Sequence, residues 1–277
     1  MTAESRRYFA EDFTSIGEHE RLAVLADNYD PATFRLLGDC GVAPGWTCAE
    51  VGAGRGTVAA WLADAVGLEG TVVALDIDTS HLDELARRPN VEVRRHDIVT
   101  TPIDDASFDL VHARLVIEHL PESERLLEML ANAVRPGGLL VVECTDMLAT
   151  AAADQSDPRG RAFDEFMGMS FAAVESMSTM DFGFARRLPR LFATLGFDES
   201  NSQVVGRVAR GGDSKALEYA LGTIPLRSTF IDRGHTTASA MDAWLACLAD
   251  PDFWFVANNV IAAWGRRPVD EPRHYMG

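Results

Sequence analysis

The chain has 277 residues, 47% hydrophobic and 24% charged, which gives enough apolar material for a substantial core and excludes disordered and fibrous classes. Its formal charge of −17 sets up a negative potential that repels phosphate backbones and anionic lipid, so nucleic acid and membrane surfaces are poor partners. Four scattered cysteines, Cys40, Cys48, Cys144 and Cys247, have neither zinc-ligand nor C-x-x-C spacing, which predicts reduced thiols, no metal and a cytoplasmic address.

Residues 1–10 carry Glu4, Arg6 and Arg7 and no apolar run of signal-peptide length, so no secretory leader is expected. Tyr8 and Phe9 in that segment are candidates for folding over a ligand or substrate. Apolar positions at Ile16, Leu22, Val24 and Leu25, and again at Phe34, Leu36 and Leu37, predict two amphipathic helices over 14–26 and 31–40. The second would be capped by Asp30 and opened by Pro31. A strand over 47–51 runs into a glycine cluster, followed by a helix over 57–66. Next come a strand at 71–75, a helix at 81–88, strands at 91–94 and 108–116, a helix at 122–134 and a strand at 139–144. Strands alternating with helices at this spacing imply right-handed crossovers and an α/β fold, a doubly wound parallel sheet with helices on both faces.

Past residue 147 the rhythm changes. A helix rich in Met and Phe is predicted over 162–177 and another over 184–195, followed by strands at 203–209 and 260–265 with about two helices between them. The late strand pair predicts an antiparallel edge on the sheet, and 148–182 reads as an insertion over the ligand edge. Lys215 is the single lysine of the chain, read here as the base composition of a GC-rich genome and given no functional weight. The longest uncharged stretch, 253–265, is too short to span a bilayer.

The chemistry concentrates in Glu50-Val51-Gly52-Ala53-Gly54-Arg55-Gly56-Thr57, at the junction of the first strand and the helix after it. Glycines there let the backbone turn tightly and approach a ligand at the carboxyl edge of the sheet. The spacing is G-x-G-x-G, and Thr57 stands where a dinucleotide fingerprint requires its third glycine. Glu50, two residues before the first glycine, suits a ligand with a positive group and repels a pyrophosphate. At the next strand end, Asp76 can accept both hydroxyls of a ribose and the apolar Ile77 can lie on an adenine face. Asp97 follows the third strand, placed to accept from an exocyclic amine, and Phe108 to Arg114 ends the fourth. Polar groups at four successive strand ends imply an adenosine with a cationic tail and no phosphate.

In these residues the sequence resembles the class I S-adenosylmethionine (SAM)-dependent methyltransferases of small-molecule type, over about 30–147. The segments Ala113-Arg114-Leu115-Val116-Ile117-Glu118-His119-Leu120-Pro121 and Arg135-Pro136-Gly137-Gly138-Leu139-Leu140 are similar to the family's fourth motif and to the turn before its fifth strand. More weakly, 184–267 resembles the family's closing region, through Gly196-Phe197 and Ala263-Trp264-Gly265. The resemblance implies a mostly parallel seven-stranded sheet with an antiparallel last strand. It implies SAM as cofactor and S-adenosylhomocysteine (SAH) as product. Gly52, Gly54 and Gly56, with Ala53 among them, would line the methionine portion, and Glu50 would orient it. Asp76 would hold the ribose, Ile77 and Ile98 would sandwich the adenine, Asp97 would meet its amine, and Ala113 and Arg114 would supply backbone contacts. The domain organisation expected is an N-terminal helical lid over 1–29, a core over 30–147 and 183–277, and a helical insertion over 148–182 covering the substrate pocket.

His119 is the candidate base, since it follows the fourth strand and titrates near neutrality; a solvent-facing role beside Pro121 is the alternative. His112 reads as a core histidine and Asp109 as structural, while Glu118, His19 and Asp146 are weaker candidates. Met167 and Phe171, with Met169, Met177 and Met180, suit an adaptable substrate lid or ordinary core filling. The function expected is methyl transfer to an O, N or C atom of a small organic acceptor, with natural-product biosynthesis as one setting, by a monomer or homodimer. The alternatives are a cyclase or rearrangement enzyme keeping SAM without net methylation, a nicotinamide oxidoreductase, and a binding module without catalysis.

Overall fold

The structure, a computed structural model, describes residues 15–178 and 180–269. Its elements begin with helix α1 (Ser15–Asp39) and continue through β1 (Thr47–Val51), α2 (Thr57–Val66), β2 (Thr71–Asp76), β3 (Val91–Arg95), β4 (Phe108–Arg114), α3 (Ser123–Ala133) and β5 (Val134–Asp146). There follow β6 (Ala151–Ala152), α4 (Pro158–Met177), α5 (Phe184–Thr194), β7 (Asp198–Val205) and β8 (Val208–Arg210). The last are α6 (Ser214–Thr223), α7 (Arg227–Asp232), α8 (Ala238–Ala249), β9 (Trp254–Val256) and β10 (Asn259–Arg266).

The chain divides into two compact units. The sheet unit comprises Thr33–Cys144, Phe184–Val204 and residues 261–269. Its seven strands run in the order β3, β2, β1, β4, β5, β10, β7. The pairs β1–β2, β1–β4, β2–β3 and β4–β5 are parallel, as the alternation of strands and helices requires. β10 is the antiparallel strand, and beside it Gly137 N–H donates to the Arg267 carbonyl at 2.7 Å while Arg267 N–H donates to that of Gly138 at 2.9 Å. β1, β2 and β4 are buried along nearly their whole length, because helices cover both faces of such a sheet. One face carries Cys48, Leu110 and Val141 with Leu62 of α2; the other carries Ala49, Val111 and Val142 with Leu127 of α3 and Phe192 of α5.

The helical unit comprises residues 15–32, 145–183 and 205–260. Its apolar core is aromatic: Phe166 stacks on Trp244 with centroids 4.6 Å apart, and Phe163 meets Phe253 at 5.1 Å and Phe255 at 5.4 Å. A small sheet, ordered β6, β9, β8, closes it. The sequence reading assigned only 148–182 to an insertion and gave 205–260 to the core. The division differs because Phe163, Phe166 and Met167 of α4 share one apolar cluster with Tyr219, Trp244 and Phe255.

Local elements differ from expectation in several places. The two N-terminal helices are one, with Pro31 inside α1. The local stop signal, about 3 kcal/mol for an interior proline, is overridden because Tyr29 and Leu36 on either side of it are both buried. The expected helix at 81–88 shrinks to a single turn, Leu85–Arg87; Arg88 is extended, as a residue before proline prefers. β5 is longer than its apolar run, reaching back through Pro136-Gly137-Gly138 to Val134. The expected strand at 203–209 is split into β7 and β8 around Gly206, where a Cβ would lie 2.0 Å from Asn259 Oδ1. β7 is exposed and polar along most of its length, so no apolar alternation marked its start.

Candidate functional site

The site is built at the carboxyl ends of β1, β2, β3 and β4. After Val51 the chain turns through Gly52, Gly54 and Gly56, with φ of 72°, 55° and 78°, the left-handed region that side chains resist. A Cβ on Gly52 would lie 2.1 Å from Val116 Cγ2, so this glycine is demanded twice, by conformation and by the approach of the segment after β4. The N–H groups of Gly52 and Ala53 donate to the Leu75 carbonyl at 2.8 and 3.1 Å, tying the turn to the end of β2.

Asp76 ends β2, and its carboxylate accepts from Gly54 N–H at 2.7 Å and from Asp78 N–H at 2.9 Å. Burial raises its pKa, while these N–H donors oppose the shift. Each oxygen retains acceptor capacity, as two ribose hydroxyls need. Ile77 is 54% exposed, a large apolar side chain presented to solvent beside a carboxylate. His96 N–H donates to the Asp76 carbonyl at 2.7 Å, which brings the end of β3 to the same place. Asp97 follows, with Oδ1 accepting from Val99 N–H at 2.9 Å. Ile98, expected to face an adenine, is instead buried in the core cluster with Ile103 and Ile117.

At the end of β4, Ala113 is buried and Arg114 donates through Nη1 to Thr33 Oγ1 at 2.9 Å. Leu115 has φ of 57°, a strained conformation for a branched side chain, and its N–H donates to the Glu143 carbonyl at 2.8 Å. The strain turns the chain toward the glycine loop and places Val116 against Gly52; nothing in the sequence marked it. His119 closes the turn Ile117–His119, its N–H donating to the Val116 carbonyl at 3.1 Å.

Glu50, expected to orient the ligand's methionine portion, is buried, and its Oε2 lies 2.6 Å from His112 Nδ1. His112 Nε2 lies 3.1 Å from Glu143 Oε1. His112 is therefore a satisfied core histidine, yet one bonded to a candidate site residue. Burial opposes its charge, but the Glu50 carboxylate together with Glu143 outweighs burial, and its pKa is pushed up to about 9. Burial also raises Glu50, against the attraction of His112. Glu143 escaped the sequence reading because it lies inside an otherwise apolar strand. Among the described residues no group of three or more His, Cys, Asp or Glu could hold a metal ion. Asp109 accepts Thr47 N–H at 2.8 Å and pairs with Arg135, a structural role.

Of the substrate-lid candidates, Met167 and Phe171 both belong to α4. Tyr8 and Phe9 lie outside the described residues. Met167 is buried in the helical unit's core, and Phe171 packs on Phe182 with centroids 4.9 Å apart.

Fold and edge define a doubly wound α/β domain whose glycine turn, ribose-type carboxylate, exposed apolar residue and buried acid suit an adenosine with a cationic tail. Residues 49–142 match the methyltransferase domain family. An uncharacterized 37.1 kDa protein in transposon Tn4556 of Streptomyces fradiae is 27% identical over 215 residues, covering 76% of this chain and 60% of that protein. A methyltransferase of Strobilurus tenacellus is 35% identical over 98 residues, 35% of this chain and 34% of the relative. The chain thus spans less than two thirds of the length of these relatives. Among solved structures, the YcgJ protein of Bacillus subtilis superposes with a TM-score of 0.54 at 13% identity, covering 85% of this chain and 98% of that one. Phosphoethanolamine N-methyltransferase 2 of Haemonchus contortus, in complex with phosphomonomethylethanolamine and SAH, gives a TM-score of 0.50 at 16% identity, covering 90% of this chain and 52% of that one. Residues 49–142 thus match a methyltransferase domain, in agreement with the resemblance to class I SAM-dependent methyltransferases in the sequence.

Proposed function

We propose that the protein transfers the methyl group of SAM to a nucleophilic O, N or C atom of a small organic acceptor, natural-product intermediates included. The observation that carries this reading is the Asp76 carboxylate, joined to the glycine turn through Gly54 N–H at 2.7 Å and flanked by the exposed Ile77. Bound SAM would supply an electrophilic methyl group on a sulfonium. This chain's own residues bind and orient: Gly52, Ala53, Gly54 and Gly56 the methionine portion, Asp76 the ribose, Ile77 and Asp97 the adenine, with backbone contacts from Ala113 and Arg114. Methyl transfer is an in-line displacement, so holding donor and acceptor collinear does most of the work. A hydroxyl or acidic carbon acceptor also needs a base, and we assign that role to His119 at the end of the β4 segment.

A small acceptor is supported by the charge of −17, which disfavours RNA and DNA. It is supported too by relatives whose names specify arsenite, phosphoethanolamine and demethylmenaquinone. The test is calorimetric titration with SAH beside NADH and NADPH, followed by an acceptor screen that reads SAH formation from SAM. Binding of SAH alone and turnover with a small acceptor are expected. Binding of a nicotinamide instead would overturn the cofactor reading, and greater methyl incorporation into bulk RNA than into metabolites would overturn the acceptor class.

A further inference from the structure

Both ring nitrogens of His112 face a carboxylate oxygen, Glu50 Oε2 at 2.6 Å and Glu143 Oε1 at 3.1 Å. An ionised carboxylate only accepts, and a neutral imidazole has one N–H. The two contacts are both hydrogen bonds only when the three groups hold one proton beyond a neutral ring and two carboxylates. Their combined charge is then −1. The arrangement is fixed by the strands: Glu50 is in register with His112, and Glu143 with Arg114 two residues further along β4. Charged and titratable neighbours are few. From β1 and β5 the ring meets Glu50 and Glu143; on its own strand Arg114 acts on Glu50. The thiols of Cys40, in the turn after α1, and of Cys144 on β5 lie near Glu143 and are held neutral by burial.

Glu50 stands two residues before Gly52, where the chain leaves the sheet for the turn. The methionine portion of SAM carries a sulfonium, an ammonium and a carboxylate, a net charge of +1 that SAH reduces to zero. We propose that His112 is a positioning residue for the cofactor: Glu143 orients its ring, the ring fixes the Glu50 carboxylate behind the glycine turn, and the three together set one net negative charge against the cationic methionine portion. This rests on the reading of that edge as a SAM site. When the ring loses its second proton, one carboxylate is left facing a ring lone pair inside the strand layer, and the hold on Glu50 is broken. In Glu143→Gln the side-chain amide donates to a neutral ring, whose remaining N–H still holds Glu50, so no second proton is needed.

The experiment is SAH calorimetry on the full chain from pH 7.5 to 10, wild type against Glu143→Gln, each relative to its own affinity at pH 7.5. Ring nitrogen NMR of His112 is recorded alongside. The amine of SAH titrates equally for both proteins, so the difference between the profiles belongs to the ring. Expected are a doubly protonated ring at pH 7.5 in the wild type and an SAH affinity that falls about fivefold more across this range than in the variant. Parallel profiles, or a wild type that tightens above pH 9, would overturn the proposal. So would a singly protonated wild-type ring at pH 7.5, a readout that needs neither the variant nor SAH. A wild type that binds no SAH at any pH removes the cofactor reading as well, whereas SAH binding with any of the preceding results removes the proposal alone.

Discussion

The buried polar network of the sheet unit and that of the helical unit differ in where their partners come from. Glu50, His112 and Glu143 meet because β1, β4 and β5 are neighbours in register. In the helical unit the partners come from chain segments far apart. Lys215 Nζ donates to Tyr29 Oη at 2.5 Å and to the two Glu218 oxygens at 2.9 and 2.8 Å. Tyr29 Oη in turn donates to Glu218 Oε1 at 2.5 Å and accepts from Asn258 Nδ2 at 3.1 Å. Tyr219 extends the network, 2.7 Å from Thr150 Oγ1 and accepting from Asn258 N–H at 2.8 Å. Burial drives the Lys215 pKa down while Glu218 opposes it, and burial drives Tyr29 up. The comparison teaches that a sheet turns regular sequence spacing into contact, whereas helix packing makes contacts that no spacing announces. It also separates roles, since one network abuts the proposed cofactor edge and the other is assigned to holding its own unit together.

The largest expected effect falls on the helical unit. Lys215→Met leaves the half-buried Glu218 without its cation and should cost about 3 kcal/mol in denaturant unfolding, the lower end for removing one partner of a buried pair. Adding Glu218→Gln should restore part of that loss, and a single variant as stable as the wild type would show that the network holds nothing. Next is Asp76→Ala, which removes a charged acceptor from ribose and should weaken SAH binding about tenfold to a hundredfold, at about 1.5–3 kcal/mol for a bond to a charged group. It also strips the Gly54 and Asp78 N–H groups of their acceptor, so its melting temperature should fall by about a few degrees, and SAH affinity is read below the variant's own transition.

The pH dependence sharpens the comparison further. The folded-state pKa of His112, about 9, lies above its ordinary value of 6.5. Its proton therefore stabilises the fold fully below pH 6.5, and that contribution is lost as pH rises through 9. Thermal melts should fall by about a few degrees between pH 7.5 and 10, and less so in Glu143→Gln. Smallest is Thr33→Val, which deletes the bond from Arg114 Nη1 at 2.9 Å and should cost about 1 kcal/mol of stability.

Much of the sheet unit was legible because its strands are apolar runs punctuated by turn residues. The alternation located β1 to β5, and the helix at 57–66 has the bounds of α2. Of the candidate site, the strand-end placement was legible: the glycines follow β1 and Asp76 ends β2, with Ile77 after it. Ile98 packs in the core cluster, and one sequence does not say whether a residue after a strand points outward or into the core. Pro31 misled because local helix signals are weak beside tertiary burial. The separate grouping of 205–260 was illegible for a like reason, since the aromatics of α4 and α8 show only that each helix has an apolar face. The scarcity of lysine reads as base composition, and nothing in that marks Lys215 as a buried cation of the helical unit.

That lysine has a practical consequence. It is the only side-chain amine in the chain, and it is 3% exposed. An amine-reactive dye then has no side-chain target while the helical unit is closed, and its attachment to Lys215 requires a transient opening. The labelling rate would clock those openings directly, without a mutation or an introduced probe.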